Sequence, residues 1–429
     1  MRVLHISQRY LPARGGAEEH LAQISRRLAR AGHSVTVLTT DALDINLFWD
    51  PSARRIAARE DEIDGVRVVR FPAHHLPAAT LSYAGIRRLL WLASVLRLPR
   101  GFARAAARLT PYVPGLAAWL ASTLERFGVV GTTTICFEGL IDAGARYARR
   151  TGAAHLMYPL THLGAGEQPG MDALSRFYTM RHQVELARCA DAVVAMTTAE
   201  RDFYVTQGAH AARISVIGTA VDPADVLGGD AAAFRARHNL RGPIVASLSA
   251  MMADKGTTHV VDAVRSLWQA GRDVELILAG AVMPEFREFL AALPEADRSR
   301  LRLLGPISDG EKRDLLAAAD IFAMPSRTDS FGIVYLEAWL YGKAVIGART
   351  WGVMDVIDDG ADGLLVPFGN PRELAATLAS LLDDPVRRAA MGEAGRAKVW
   401  AEHTWEKKFP RIEALYRDLA EGGRRSCGS

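Results

Sequence analysis

Apolar residues along the chain fall into short unbroken runs separated by segments of helical period. Residues 2–7 and 35–39 are two such runs, and between them Leu21, Ile24 and Leu28 repeat at helical spacing up to Gly32. A short apolar run reads as a buried strand, and a three-to-four repeat as a helix with one face on a core. The order strand, loop, helix, strand opens a right-handed βαβ unit. Runs at 65–71, 129–137, 155–160, 193–196 and 214–218 continue the first half, with a helix over 140–149; residues 41–63 carry neither period and read as loop. The second half restarts the pattern. A strand at 244–249 leads to a helix through Val260, Val261, Val264 and Leu267, then come strands at 276–280, 301–306 and 321–324. Helices from 371 to 419 follow, and 422–429 reads as a tail. The expected class is therefore α/β, with two Rossmann-like domains. Their bounds are 1–221 and 222–400, leaving 401–429 as a final helix and tail.

A length of 429 residues supplies material for two cores of that kind, and 49% hydrophobic with 23% charged residues is ordinary for globular domains. Cys136, Cys189 and Cys427 show no metal-ligand spacing and read as reduced thiols of a cytoplasmic protein. The first residues run straight into a strand, without the pattern of a signal peptide, and no 18-residue uncharged apolar stretch appears. Charge is uneven. Residues 1–220 hold 26 Arg/Lys against 18 Asp/Glu, or +8, and the remainder 26 against 30, or −4. A basic first half suits an anionic acceptor or an anionic membrane surface, or serves solubility.

Within it, residues 76–126 carry Arg87, Arg88, Arg97, Arg100, Arg104, Arg108 and Arg126 against one acid, Glu125. Tyr83, Leu89, Leu90, Trp91, Leu92, Leu96 and Leu98 are interleaved with them. A cationic amphipathic helix pair of this kind, over 84–126, can lie on the inner face of an anionic bilayer, or pack its apolar side on the sheet. No nucleic-acid partner is expected.

The candidate chemistry centres on residues 326–342, which follow the strand at 321–324. Polar residues lead to Ser330, Phe331 and Gly332 and then to a helix, so a helix N-terminus faces whatever binds at the strand end. Asp329 and Glu337 bracket that turn eight positions apart; they can meet sugar hydroxyls, or serve as an N-cap and a solvated helix face. Gly15 and Gly16 end the first strand's loop and let backbone approach a phosphate. They do not form the G-x-G-x-x-G fingerprint, which speaks against a dehydrogenase. Lys255-Gly256 precedes the helix at 260–267. Thr161-His162 closes the strand at 155–160, where ligands gather in doubly wound sheets, and Glu138 follows the strand before it. Gly280 and Pro306 end two further strands. No G-x-S-x-G, Walker or zinc pattern is present, so Gly16, Lys255 and Phe331-Gly332 stand as anion-binding devices able to stabilise a departing phosphate.

The stretch resembles the E-x7-E region of retaining glycosyltransferases of family 4, with Asp329 where the first Glu is usual. Residues 342–346 and the run from Asp358-Asp359-Gly360 to Val366 resemble later elements of that family. The Gly15-Gly16 loop resembles its first glycine pair, and 219–222 its interdomain hinge without the usual Asn and Gly. The resemblance implies the GT-B architecture: two Rossmann-like domains facing across a cleft, with a last helix crossing back to the first. It implies transfer of a hexosyl group, with retention and without a metal or other cofactor, from a nucleotide-diphosphate sugar to a glycan, lipid-linked or small acceptor. Donor-side residues would be Gly15, Gly16, Lys255, Gly280, Pro306, Ser330, Phe331, Gly332 and Glu337. Asp329 and His162 would meet the sugar, and Glu138 or His162 the acceptor. The family's arginine before Lys-Gly is absent, since Ser249 or Ala250 stands there; Arg327 could replace it, or the glycine loop and helix dipoles suffice, or the donor site is weakened. A degenerate non-catalytic protein and a nucleotide-sugar epimerase remain the alternatives.

Overall fold

The computed structural model describes residues 1–422, so Cys427 and all but the first residue of the expected tail lie outside the described residues. The chain forms two compact units. The first comprises Met1–Thr161, Gly170–Gly218 and the last helix from Phe409; the second comprises His162–Pro169 and Thr219–Lys408.

The first unit is built on an eight-stranded sheet: β1 (Arg2–Ile6), β2 (Ser34–Thr40), β3 (Glu60–Ile63), β4 (Val66–Phe71), β5 (Val129–Thr133), β6 (Ala154–Tyr158), β7 (Ala192–Ala195) and β8 (Ile214–Val216). Their spatial order is β3-β4-β2-β1-β5-β6-β7-β8. All pairs are parallel except β3 with β4. Helices cover both faces, so every residue of β5, β6 and β7 is buried and the strands read as unbroken apolar runs. Leu4, Ile6, Leu38, Val69, Val130 and Tyr147 share one core cluster.

Three elements depart from the sequence expectation. β3, expected as loop, is an exposed edge strand of sequence EDEI, whose acidic side chains need no apolar partner and blunt the edge. The strand expected over 129–137 stops at Thr133, because Thr134 takes a left-handed φ of 66° and Ile135–Phe137 coil into a 3-10 turn. The helix pair is three helices, Ala79–Val95, Arg100–Ala107 and Pro114–Ser122, divided where Pro99, Pro111 and Pro114 remove backbone donors.

The last helix, Trp405–Gly422, starts in the second unit and ends in the first. Its Tyr416 hydroxyl lies 2.7 Å from His5 Nε2 and accepts from the Tyr158 hydroxyl at 3.2 Å; His5 Nδ1 lies 2.7 Å from Ser25 Oγ. Burial pushes the His5 imidazole down to about 3, so it is neutral at physiological pH. Gly131 makes room for this pair, since a Cβ there would stand 2.7 Å from the His5 ring.

The second unit holds β9 (Ile244–Leu248), β10 (Glu275–Ala279), β11 (Leu301–Gly305), β12 (Ile321–Ala323), β13 (Ala344–Ala348) and β14 (Gly363–Val366). All pairs are parallel, in the order β11-β10-β9-β12-β13-β14. The chain thus starts in the middle, winds one way to β11 and then the other way to β14. The reversal falls between β9 and β12, where the loops leaving two adjacent strands part company and open a crevice. Val245, Leu276, Ile321, Ile346, Val260 and Leu378 fill the core beneath it.

Candidate active site

The loop leaving β9 ends in a single 3-10 turn, Ala253–Lys255, and Gly256 starts the helix Thr257–Gln269. Gly256 has φ 77°, and a Cβ there would stand 2.3 Å from the Pro325 carbonyl oxygen. Glycine therefore brings this helix start against the end of β12. From β12 the chain passes Pro325 and Ser326 to Asp329 and then to Gly332 (φ 90°), which caps the helix Ile333–Leu340. Asp329 is not the N-cap.

The two loops meet through charge. Lys255 Nζ donates to both carboxylate oxygens of Asp329, each at 3.1 Å. Burial alone would raise the Asp329 carboxyl; Lys255, a hydrogen bond from Ser326 and His162 outweigh it and hold the group below the usual carboxylate range. His162 belongs to the same unit, on the segment His162–Pro169. Its imidazole is pushed down to about 4, first by burial and then by the Lys255 charge, with Asp329 pulling the other way. At neutral pH the trio is a neutral imidazole beside an ionised ammonium–carboxylate pair.

Glu337 lies in the helix Ile333–Leu340 and is buried rather than solvated. Lys312, from the helix Asp309–Ala318, donates to its Oε1 at 2.7 Å. Its Oε2 is buried without a hydrogen-bond partner. Native proteins seldom leave such an atom unsatisfied, so Oε2 is a candidate acceptor for a ligand hydroxyl.

Other expected positions divide. Gly280, with φ 129°, ends β10 where a Cβ would stand 1.9 Å from the Ser249 carbonyl oxygen, so it is required for two strand ends to pack. Pro306 follows β11, is exposed and lies two strands from the reversal. Phe331 is buried with its ring edge-on to His403, which leaves its backbone as the part able to meet a ligand. Ser330 is half-buried. Arg327, the candidate replacement for the absent clamp arginine, donates from Nε to Asp254 at 2.8 Å, and its guanidinium lies over the Phe368 ring.

In the first unit Gly16 begins the helix Gly16–Arg30, and a Cβ there would meet nothing within 4 Å. Gly15 is crowded, with the Glu18 carboxylate 2.2 Å from where its Cβ would be. Glu18 is itself buried and accepts from Arg9 Nε at 2.9 Å and Gln8 Nε2 at 3.1 Å, a brace under the loop that the sequence did not advertise. Glu138 does not face an acceptor. It is buried and accepts from Arg87 at 2.7 Å, His182 Nε2 at 3.0 Å and Gln183 at 3.3 Å, which ties three helices together.

Residues 15–220 match the family described as "Glycosyl transferase 4-like domain", and residues 230–398 that described as "Glycosyl transferases group 1". The chain is 37% identical over 171 residues to a GDP-mannose-dependent monoacylated alpha-(1-6)-phosphatidylinositol monomannoside mannosyltransferase of Corynebacterium glutamicum, a match covering 38% of this chain and 44% of that protein. It is 26% identical over 424 residues to D-inositol 3-phosphate glycosyltransferase 1 of Catenulispora acidiphila, covering 96% and 92%. The matched stretch is thus under half the length of the first relative. Among solved structures, sucrose-phosphate synthase from Thermosynechococcus elongatus superposes with a TM-score of 0.72 at 21% identity, covering 98% of this chain and 99% of that one. The two matched regions take in nearly all of the chain, which therefore belongs to the family 4-type glycosyltransferases and has the GT-B fold.

Proposed function

We propose that this protein is a retaining glycosyltransferase that moves a hexosyl group from a nucleotide-diphosphate sugar to a hydroxyl of a glycan, glycolipid or small acceptor, without a metal ion. The observation that carries this reading is the placement of Lys255. Its ammonium stands one residue before a helix N-terminus, at the point where the strand order reverses, beside a carboxylate and a neutral imidazole. Fixed positive charge there stabilises a diphosphate as it departs. The sugar C1–O bond to phosphate breaks, the acceptor oxygen bonds C1 on the same face, and the leaving phosphate oxygen takes the acceptor's proton. Asp329 stays ionised and orients sugar hydroxyls, His162 hydrogen-bonds the sugar or acceptor without carrying charge, and Glu337 Oε2 accepts from the ribose.

Thermal unfolding against a panel of nucleotide sugars and nucleoside diphosphates tests the reading. Stabilisation by one base family, larger with one sugar, is expected, and a chain that none of them stabilises overturns it. Gly16 adds a sharper check. Because a methyl group there meets no protein atom, Gly16→Ala should leave stability within about 1 kcal/mol. If only glycine lets this backbone approach the diphosphate closely, the added methyl leaves the N–H in place but holds the phosphate off it, and donor affinity should fall ~10-fold or more, the worth of one hydrogen bond to a charged group.

The reading places the enzyme at the inner face of the membrane, in assembly of a cell-surface polysaccharide or glycoconjugate. Leu81, Leu89, Leu92, Val95, Leu96, Leu98 and Phe102 are all exposed, with Arg88, Arg97 and Arg100 exposed among them. Trp91, expected at the interface, is instead half-buried under the Arg176 guanidinium, 4.7 Å from its ring centroid, and Arg87 is committed to Glu138. No helix of the described residues is long and apolar enough to cross a membrane. Co-sedimentation with anionic vesicles, weakened by Leu92→Glu with Leu96→Glu, is the expected result; a chain left in the supernatant at physiological salt removes this part.

A further inference from the structure

Trp351 joins two parts of the site that the sequence keeps far apart. The segment His162–Pro169 leaves the end of β6 through Leu160, whose φ of 52° is left-handed for a residue with a side chain. Such strain persists only where surrounding contacts hold it. Within the second unit, two donors of one residue hold the segment. The Trp351 backbone N–H donates to the Gly164 carbonyl at 3.1 Å, and its indole Nε1–H donates to the Gly166 carbonyl at 2.9 Å.

The other side of Trp351 is fixed to the Asp329 loop. Thr350, before it, is buried and its hydroxyl donates to the Ser326 carbonyl at 3.5 Å. Gly352, after it, lies so close to that loop that a Cβ would stand 2.5 Å from the Asp329 carbonyl oxygen and 3.0 Å from that of Ser330. The short loop after β13 therefore rests on the residues around Asp329 and carries the His162 segment on its outer side. An indole is well suited to this: it is rigid, it has a single donor, and its ring spans the gap to a carbonyl two residues beyond the one its own backbone reaches.

We propose that Trp351 is a positioning residue that fixes the His162 segment against the Asp329 loop and so sets the imidazole beside the Lys255–Asp329 pair. The inference rests on the transferase reading of that site. It predicts that Trp351 acts on transfer through His162 and not on donor capture by Lys255 and Glu337. Burial lowers the imidazole first, the Lys255 charge lowers it further and Asp329 pulls it up, so its titration is sensitive to a shift of the segment.

The test compares W351F, H162A and the double variant. W351F keeps an aromatic ring and the backbone N–H and deletes the indole donor. Its kcat should fall about 10- to 100-fold, as for a reacting group displaced by up to ~1 Å, while the donor KM is unchanged. In the H162A background W351F should cost nothing further. An equal loss in both backgrounds overturns the proposal, as does an unchanged kcat. A second readout needs no substrate: the His162 imidazole, titrated by NMR, should move from about 4 towards its ordinary range in W351F. A wild-type chain that transfers no sugar overturns the functional reading alone, and the His162 titration then decides the positioning by itself, an unmoved midpoint refuting it. Should W351F fail to fold, 3-benzothienylalanine at 351 removes the N–H with the ring shape kept, and the same two outcomes apply.

Discussion

Lys255→Met should lower kcat/KM by about 10²–10³-fold, the usual cost of removing one preorganised charge or donor from a site of charge development. The ammonium is held by both oxygens of Asp329 in the absence of a ligand, so it is already in place and loses little freedom when a diphosphate arrives. The same pairing complicates the test, because removing the lysine leaves a half-buried carboxylate without its cation. Stability should fall by ~1–2 kcal/mol, less than for a fully buried pair because both side chains keep some contact with water. The depressed Asp329 carboxyl gives the sign: its contribution is present above the unfolded pKa and is lost as pH falls through the folded one, so Lys255→Met should erase that acid-dependent part. Lys255→Met with Asp329→Asn should recover the stability and none of the activity. Recovery of turnover in the double variant, or near-wild-type turnover in the single one, would show that Lys255 is only a partner for Asp329.

How much of this was legible in the sequence follows from the range of each interaction. Most strands of both sheets were readable because parallel strands covered on both faces carry apolar runs; Glu60–Ile63 escaped as the exposed antiparallel edge, and Ala344–Ala348 and Gly363–Val366 entered only through the family resemblance. Asp329 and Glu337 stood out as candidates because loop, helix start and carboxylates lie within one short stretch, and Lys255-Gly256 because it precedes a helix; that Lys255 meets Asp329 across 74 residues was not legible. The same holds for other side chains whose meaning depends on partners distant in sequence. Glu138 stands after a strand end, as a ligand-facing group would, yet Arg87, His182 and Gln183 arrive from 44 to 51 residues away and take up its oxygens. Arg327 was placed well to replace a missing cation, and Asp254 claims it across 73 residues. Lys312, 25 residues before Glu337, carries no local pattern that would pair them. His162 was expected to close a strand, but β6 ends at Tyr158 and the His162 segment packs with the second unit, which is where Lys255 and Asp329 are.

Glu337→Ala is the other substitution with a large expected effect, and here stability and activity should separate more cleanly. In the folded chain Oε1 takes the Lys312 ammonium and Oε2 is buried without a partner. An unsatisfied buried oxygen already costs the folded state ~1–3 kcal/mol, so deleting it removes a penalty along with the ion pair. Lys312 is a quarter exposed and can turn to water, so the net change in stability should stay within about 1 kcal/mol. Donor affinity should nevertheless fall about 10- to 100-fold, the value of one hydrogen bond from a ligand hydroxyl to a carboxylate in a dry environment. A cycle with altered donors locates the contact. Deoxy donors, lacking one ribose hydroxyl, should bind the wild-type chain more weakly by that same factor and the Glu337→Ala chain no more weakly than the full donor. If both chains discriminate against the deoxy donor equally, the ribose is recognised elsewhere and Oε2 has another occupant. If only the wild type discriminates, Oε2 is the atom that accepts from the ribose hydroxyl, beside an Oε1 already held by Lys312.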